Sequence, residues 1–326
     1  EEATLLDDQD CLAQLEFTGK TTVEKRSIRY HCRVPEQPHK LGTGSAVTCL
    51  TDGLPASNLI LDEEAHTASF TRGAQQDPPP PVLTLVLDDQ VSQAKKLDAI
   101  HAFVDRLCAS APGHEALLNL LLQRPPVLAG RKAGSAVADD LSIPSITAAV
   151  RALHHSHLVI QGPPGTGKTT TASQVIAALL GDGKRVAISS NSHAAINHLL
   201  MASVQRCADA GLNVKAAVVK ADDAVPEGID VLDPDALDSA THPLAGGTAF
   251  LLCRPAQVLQ WDYLFIDEAS QVSLADVIAA GQCASNIVLL GDQMQLAQPT
   301  QGIHPGQSGL SALDYLMQGH ATVPPE

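Results

Sequence analysis

Residues 162–169 read Gly-Pro-Pro-Gly-Thr-Gly-Lys-Thr, and no other stretch limits the fold as tightly. The spacing is G-x-x-x-x-G-K-T. Upstream, His157-Leu158-Val159-Ile160-Gln161 is an apolar run of strand length, and downstream residues 170–180 are rich in Ala, Leu, Val and Ile. A glycine-rich turn between a strand end and a helix start offers free backbone N–H groups along the helix dipole, which favours a polyphosphate. Its glycines let the backbone wrap closely around phosphate. In such a loop Lys168 reaches the β- and γ-phosphates, and the Thr169 hydroxyl ligates Mg²⁺. The expected nucleotide-binding residues are therefore Gly162, Pro163, Pro164, Gly165, Thr166, Gly167, Lys168, Thr169 and Thr170.

The chain has 326 residues, room for about two domains with a sizeable core. Hydrophobic residues at 44% and charged residues at 17% are globular values. No apolar run approaches the ~20 residues of a membrane span, so no membrane partner is expected. The first residue is Glu1 rather than Met, the look of a processed or cut end. Cys11, Cys32, Cys49, Cys108, Cys207, Cys253 and Cys283 are scattered, odd in number and form no C-x-x-C. That argues against a disulfide scaffold or zinc ribbon, and for reduced thiols in a cytoplasm. His154-His155-Ser156-His157 reads as a solvated turn in preference to a metal site.

A net charge of −15 disfavours nonspecific nucleic-acid binding by the chain as a whole. The distribution is uneven. Lys20, Lys25, Arg26, Arg29, Arg33 and Lys40 gather near the N-terminus, and Asp222, Asp223, Glu227, Asp230, Asp233, Asp235 and Asp238 gather later.

Residues 1–90 read as a β-rich, barrel-like module. Strands are expected at 26–34, 45–50, 57–61, 67–71 and 82–87, separated by Gly42-Thr43-Gly44, Asp52-Gly53 and the proline run at 78–81. Its basic strands either face a nucleic-acid backbone or form an ordinary solvated face. Residues 91–140 read as a helical stalk and linker. Leu97, Ile100, Phe103, Val104, Leu107 and Cys108 recur at helical spacing, Pro112-Gly113 interrupts, and Pro125-Pro126 stops the pattern. Residues 141–326 alternate β and α. Strands are expected at 185–189, 214–219, 248–253, 263–266 and 286–290, with helices at 194–210 and 274–281. Residues 222–247, acidic and aperiodic, read as a surface insertion. Such alternation predicts a parallel sheet covered on both faces, with ligands at the carboxyl ends of its strands.

Asp267-Glu268 follows the apolar strand at 263–266. Two adjacent acids at a strand end suit a phosphate-loop ATPase: Asp267 would hold Mg²⁺, and Glu268 would orient and deprotonate the attacking water. The motif wording goes further. Asp267-Glu268-Ala269-Ser270-Gln271 resembles motif II of superfamily 1 helicases, and Gly291-Asp292-Gln293-Met294-Gln295-Leu296-Ala297-Gln298-Pro299 resembles their motif III. Ser189-Ser190-Asn191-Ser192-His193 resembles motif Ia, and Gly246-Gly247-Thr248 stands where motif Ib would be. The forms are similar to the 5′-to-3′ branch of that superfamily, in particular to the helicase part of bacterial RecB-like nuclease–helicase fusions.

The resemblance implies a RecA-like P-loop NTPase domain at 141–326, the first of a two-domain motor, with ATP and Mg²⁺ as cofactors. It implies single-stranded nucleic acid as partner, DNA ahead of RNA. Gln295 would join Lys168 and Glu268 as a catalytic residue, sensing the γ-phosphate. Gln271 and Asp292 would support the nucleotide site. Ser190, Asn191, Ser192 and Thr248 would contact strand phosphates without reading sequence. For Ser190 to Ser192, capping of the following helix is the competing reading.

Ser145 stands where the family's adenine-reading glutamine would be. The second RecA-like domain and its arginine fingers do not fall within these residues. Such fingers speed phosphoryl transfer by orders of magnitude, so this portion alone is expected to hydrolyse nucleotide slowly and not to unwind a duplex. A GTPase would need N-K-x-D and an ABC ATPase L-S-G-G-Q, and neither is present. The alternative is a nucleotide-binding regulatory or scaffold module without unwinding activity. Aromatic residues are only 3% of the chain, so base stacking does not dominate, and Phe265 and Tyr263 are expected in the core.

Overall fold

The computed structural model describes residues 9, 11–87, 93–132, 135–163, 165–219, 228–292, 295 and 306–320. The chain forms two compact units, 1–92 and 93–326.

In the first unit six antiparallel strands close a barrel. They are β1 (Cys11–Glu24), β2 (Ser27–Arg33), β3 (Val47–Cys49), β4 (Pro55–Asp62), β5 (Thr67–Gly73) and β6 (Val82–Leu87), in the order β1-β2-β5-β4-β3-β6. Closure comes from β1, which pairs with β6 through Cys11 to Glu16 and with β2 through Glu16 to Glu24. Closure leaves no unpaired sheet edge. Leu12, Leu15, Tyr30, Phe70, Leu83 and Leu85 fill the interior. Strand β1 was not expected from the sequence, because it opens with three buried residues in a row, alternates only briefly, and is exposed along most of its second half. Arg72 is also fully buried. Its guanidinium donates to both oxygens of Asp52, at 2.8 and 3.0 Å, and lies 5.6 Å from the centre of the Phe70 ring. Of the basic residues on β1, β2 and the turn between them, Arg29 is tied to Glu24, whereas Lys20, Lys25, Arg26 and Arg33 are exposed.

The second unit begins with α1 (Ala94–Cys108), α2 (Glu115–Leu121) and α3 (Ile143–Arg151). Then come β7 (His157–Gln161), α4 (Lys168–Gly181), β8 (Val186–Ser189), α5 (His193–Asp209), β9 (Ala216–Val219), β10 (Ile229–Leu232) and β11 (Leu244–Gly246). The last elements are α6 (Ala249–Leu252), β12 (Trp261–Ile266), α7 (Leu274–Gly281), β13 (Ala284–Gly291) and α8 (Ala312–Met317). The strands form one parallel sheet in the order β10-β9-β11-β8-β12-β13-β7. Side chains of successive strand residues point to opposite faces, and both faces are buried. Trp261, Leu264, Ile266, Ile287 and Leu289 meet α1, α2, α7 and α8 through Phe103, Leu117, Leu120, Val277 and Leu313. On the other face Tyr263, Phe265, Val288 and Leu290 meet α3, α4 and α5 through Val150, Val175, Ile176, Ile196 and Leu199. This is the RecA-like α/β architecture expected from the sequence, with the expected barrel before it.

Three local expectations are corrected. Residues 222–247 are not only a surface insertion: they supply β10 and β11, and β11 lies between β9 and β8 with all three residues buried. Its Leu-Ala-Gly gives no alternating pattern because both of its faces are covered. Residues 248–253 form α6 and not a strand; Thr248 is its N-cap residue, and a four-residue apolar run does not distinguish the two by period. The turn at 154–157 is solvated only in part. His154 and His155 are exposed, but Ser156 and His157 are buried, the Ser156 hydroxyl accepting from Val127 N–H at 2.9 Å. Helices α3 and α8 also went unforeseen. None of the seven cysteines is in a disulfide, and only Cys108 is exposed.

Strand β11 lies close under α5: a Cβ added at Gly246 would sit 2.5 Å from Ile196 Cγ2. Gly246→Ala is therefore expected to lower unfolding stability by about 1–3 kcal/mol, measured by urea denaturation. Burial pushes the His157 imidazole from the ordinary 6.5 down to about 4. Between those values the folded state keeps it neutral while the unfolded chain protonates it, so stability is lost as pH falls through that window. His157→Gln is expected to remove up to ~3 kcal/mol of that pH dependence, read from denaturation curves across the same range.

Candidate active site

The phosphate loop joins the end of β7 to the first residue of α4. Gly162 N–H donates to the Gly291 carbonyl at 3.1 Å, which anchors the loop to the end of β13. Gly165 and Gly167 have φ of +79° and +86°, a left-handed conformation that glycine adopts without a Cβ penalty. A Cβ at Gly162 would lie 2.7 Å from Thr166 Oγ1, whose hydroxyl donates to the Pro163 carbonyl at 2.7 Å. Lys168 Nζ donates to the carbonyls of Gly162 and Pro163. Pro164 lies outside the described residues. Gly165, Gly167, Lys168, Thr169 and Thr170 line one wall of a cavity of about 540 Å³, and His198 and Arg206 of α5 line the other.

The two acids leave the end of β12. Asp267 N–H donates to the Ser189 carbonyl at 2.8 Å, and Glu268 N–H turns back onto Asp267 Oδ1 at 2.9 Å. Glu268 has a φ of +52°, an uncommon conformation for a side-chain-bearing residue that cramps this turn. Burial pushes the Asp267 carboxyl above its ordinary range. The Glu268 N–H opposes this, the Glu268 charge adds to it, and the charges of Lys168 and His198 pull it back down.

Ala269 N–H donates to the Leu290 carbonyl at 2.8 Å, which links the acidic turn to β13. Asp292 is buried at the end of that strand, and Gln295 N–H donates to its carbonyl at 3.3 Å. Strands β7, β13 and β12 are neighbours, so the loop, Asp292 and the two acids issue from one end of one sheet.

The expected strand-contacting residues separate into two groups. Ser190, Asn191 and Thr248 line a second cavity of about 90 Å³ at the ends of β8 and β11, together with Lys96, Phe250 and Asp276. Ser192 instead caps α5, its hydroxyl accepting from Ala195 N–H at 3.1 Å. Asn191 Nδ2 donates to the Gln271 carbonyl at 3.0 Å, joining the two motifs. Ser145 lies in α3, and its hydroxyl accepts from the N–H groups of Asp139 and Asp140. Sequence reading passed over His198, Lys96, Phe250 and Asp276. Each is a single residue on a helix, and only the packing of α1, α5, α6 and α7 brings them to the two cavities. Among the described residues, no cluster of three or more His, Cys, Asp or Glu side chains could hold a metal, and no helix is long and apolar enough to cross a membrane.

A family model described as an AAA domain matches residues 145–307, half of the chain. The chain belongs to the AAA domain family. Over 171 residues it is 30% identical to the DNA replication ATP-dependent helicase/nuclease dna2 of Schizosaccharomyces pombe, a match covering 49% of this chain and 12% of that protein. Over 151 residues it is 26% identical to the Saccharomyces cerevisiae protein of the same description, covering 43% and 10%. The chain thus spans only a small part of the length of these relatives. Among solved structures, the arterivirus helicase nonstructural protein 10 overlays on 96% of this chain and 56% of its own, with 12% identity and a TM-score of 0.33. Family, motifs and relatives agree with the superfamily 1 resemblance, and the second unit of this chain carries an AAA domain with a phosphate loop.

Proposed function

We propose that this chain binds ATP with Mg²⁺ and hydrolyses it as the first motor half of a superfamily 1 helicase acting on single-stranded nucleic acid. The observation that carries this reading is the convergence of the 162–169 loop, Asp267-Glu268 and Asp292 at the ends of three neighbouring parallel strands. Backbone N–H groups of residues 165–169, at the start of α4, would cradle the phosphates, with Lys168 turning from its loop carbonyls to the β- and γ-phosphates. The Thr169 hydroxyl and the Asp267 carboxylate are hard oxygen donors of the kind Mg²⁺ takes, and a cation there would offset the burial that raises Asp267. When bound, the ion neutralises charge between the β- and γ-phosphates. Glu268 would orient the attacking water and take its proton. Gln295, held beside Asp292, would sense the γ-phosphate, and Gln271 would pass the signal through Asn191 to the strand groove. Ser190, Asn191 and Thr248 would meet backbone phosphates, and Ser192 would act through the helix it caps.

The S. pombe and S. cerevisiae relatives are described as DNA replication helicase/nucleases, which favours DNA over RNA as the strand. Ser145 is engaged with Asp139 and Asp140, so base reading by that side chain is not part of the proposal. Unwinding would need a second RecA-like domain that closes on the nucleotide and brings arginine to it.

Lys168→Ala is expected to cut ATP turnover by about 10²-fold or more; turnover near wild type would remove the loop from the mechanism. Glu268→Gln is expected to keep Mg-ATP binding while slowing hydrolysis by about 10²–10⁴-fold, measured by binding of a fluorescent ATP analogue beside phosphate release. The functional reading itself is tested by ATPase rates with and without single-stranded DNA or RNA. The rates would be taken on this chain and on one extended through a second RecA-like domain. Stimulation by a strand is the expected result. Nucleotide binding with no stimulation in either chain would overturn the motor reading in favour of a regulatory module.

A further inference from the structure

The small cavity at the ends of β8 and β11 contains a cation that no sequence motif names. Lys96 enters it from α1, and it is the only lysine or arginine among the described lining residues. Its ammonium pairs with Asp276 Oδ1 at 2.5 Å and lies 4.3 Å from the centre of the Phe250 ring. Both side chains are largely withdrawn from water, at 16% and 13% exposure. Ser190 lines the same cavity. Its hydroxyl is buried and has no hydrogen-bond partner among the described residues. Hidden polar groups are normally paired, and one that is not has lost its water without replacement. A donor of this kind beside a cation matches a phosphate oxygen.

Asp276 already neutralises the cation. An incoming phosphate therefore competes with a carboxylate for one ammonium. Lysine suits such an exchange, being a compact charge on a flexible stem that can be re-aimed without leaving the Phe250 face. After the exchange Asp276 keeps its negative charge beside the phosphate and opposes it.

We propose that Lys96 is a strand-binding residue held off by Asp276, and that a backbone phosphate of a single strand entering beside Ser190 takes the lysine from the aspartate. The inference rests on the strand-binding reading above and adds to it both a contact and a restraint on that contact.

The test is equilibrium binding of a fluorescein-labelled single-stranded oligothymidylate to the whole chain over a range of salt concentrations, with thermal melting of each variant as a folding control. Lys96→Gln is expected to make the dependence of log affinity on log salt shallower by about 0.7, the loss of one single-strand phosphate contact. Asp276→Asn is expected to bind roughly tenfold more tightly with no loss of salt dependence, since it removes the competitor and keeps the cation. The double variant should behave as Lys96→Gln. An unchanged salt slope in Lys96→Gln, or weaker binding in Asp276→Asn, would overturn the proposal and leave the pair as a packing contact between α1 and α7. If the wild-type chain binds the oligonucleotide while Lys96→Gln keeps its slope, this inference alone fails. If the wild-type chain does not bind, the strand-binding reading fails and takes this one with it.

Discussion

Backbone pairing between β7, β13 and β12 sets the distance from the phosphate loop to the acids. Gln161 pairs with Gly291, and Ile266 with Leu289, so the chain leaves all three strands at nearly one level. Two further hydrogen bonds, Gly162 N–H to Gly291 and Ala269 N–H to Leu290, carry this alignment just past the strand ends. The functional side chains need not find each other. They are delivered by a sheet whose two faces are already buried, and a shift of one strand would move its whole set of side chains to the wrong face.

Electrostatics at that end of the sheet is arranged around a carboxylate that burial disfavours. Asp267 is pushed up by its surroundings, and the charges that relieve it come from Lys168 on the phosphate loop and His198 on α5. Elsewhere buried charge is handled differently. Arg72 in the barrel faces Asp52, and Lys96 faces Asp276, each with an aromatic ring beside the cation. Those pairs are internally compensated, whereas Asp267 gains most from something that arrives from outside.

The parts of the fold that were legible in the sequence are those whose chemistry is local. G-x-x-x-x-G-K-T needs its neighbours only in the chain, and the apolar strands before Gly162, Asp267 and Asp292 are long enough to stand out. Strand β11 was hidden because all three of its residues are buried, and because Gly246 lacks a side chain for a packing reason, the approach of Ile196, that appears only in three dimensions. Strand β1 was hidden because half of it faces water on both sides. Helix α6 was misread because four apolar residues serve either structure. Lys96 and Asp276 are far apart in sequence, and neither resembles a motif, so nothing in the chain order announces their meeting.

Phe103, Leu117 and Leu120 belong to the same buried cluster as Trp261, Leu264 and Leu289. Gln282 also donates to the Ala99 carbonyl, and Gln123 to that of Tyr315. By motif the ATPase begins near the helix before the phosphate loop, but by burial it begins at α1. A chain trimmed to its motifs would keep α7 and α8 but open to water the part of that sheet face which α1 and α2 cover. Poor solubility of such a fragment would report the missing helices and say nothing about the chemistry at the strand ends.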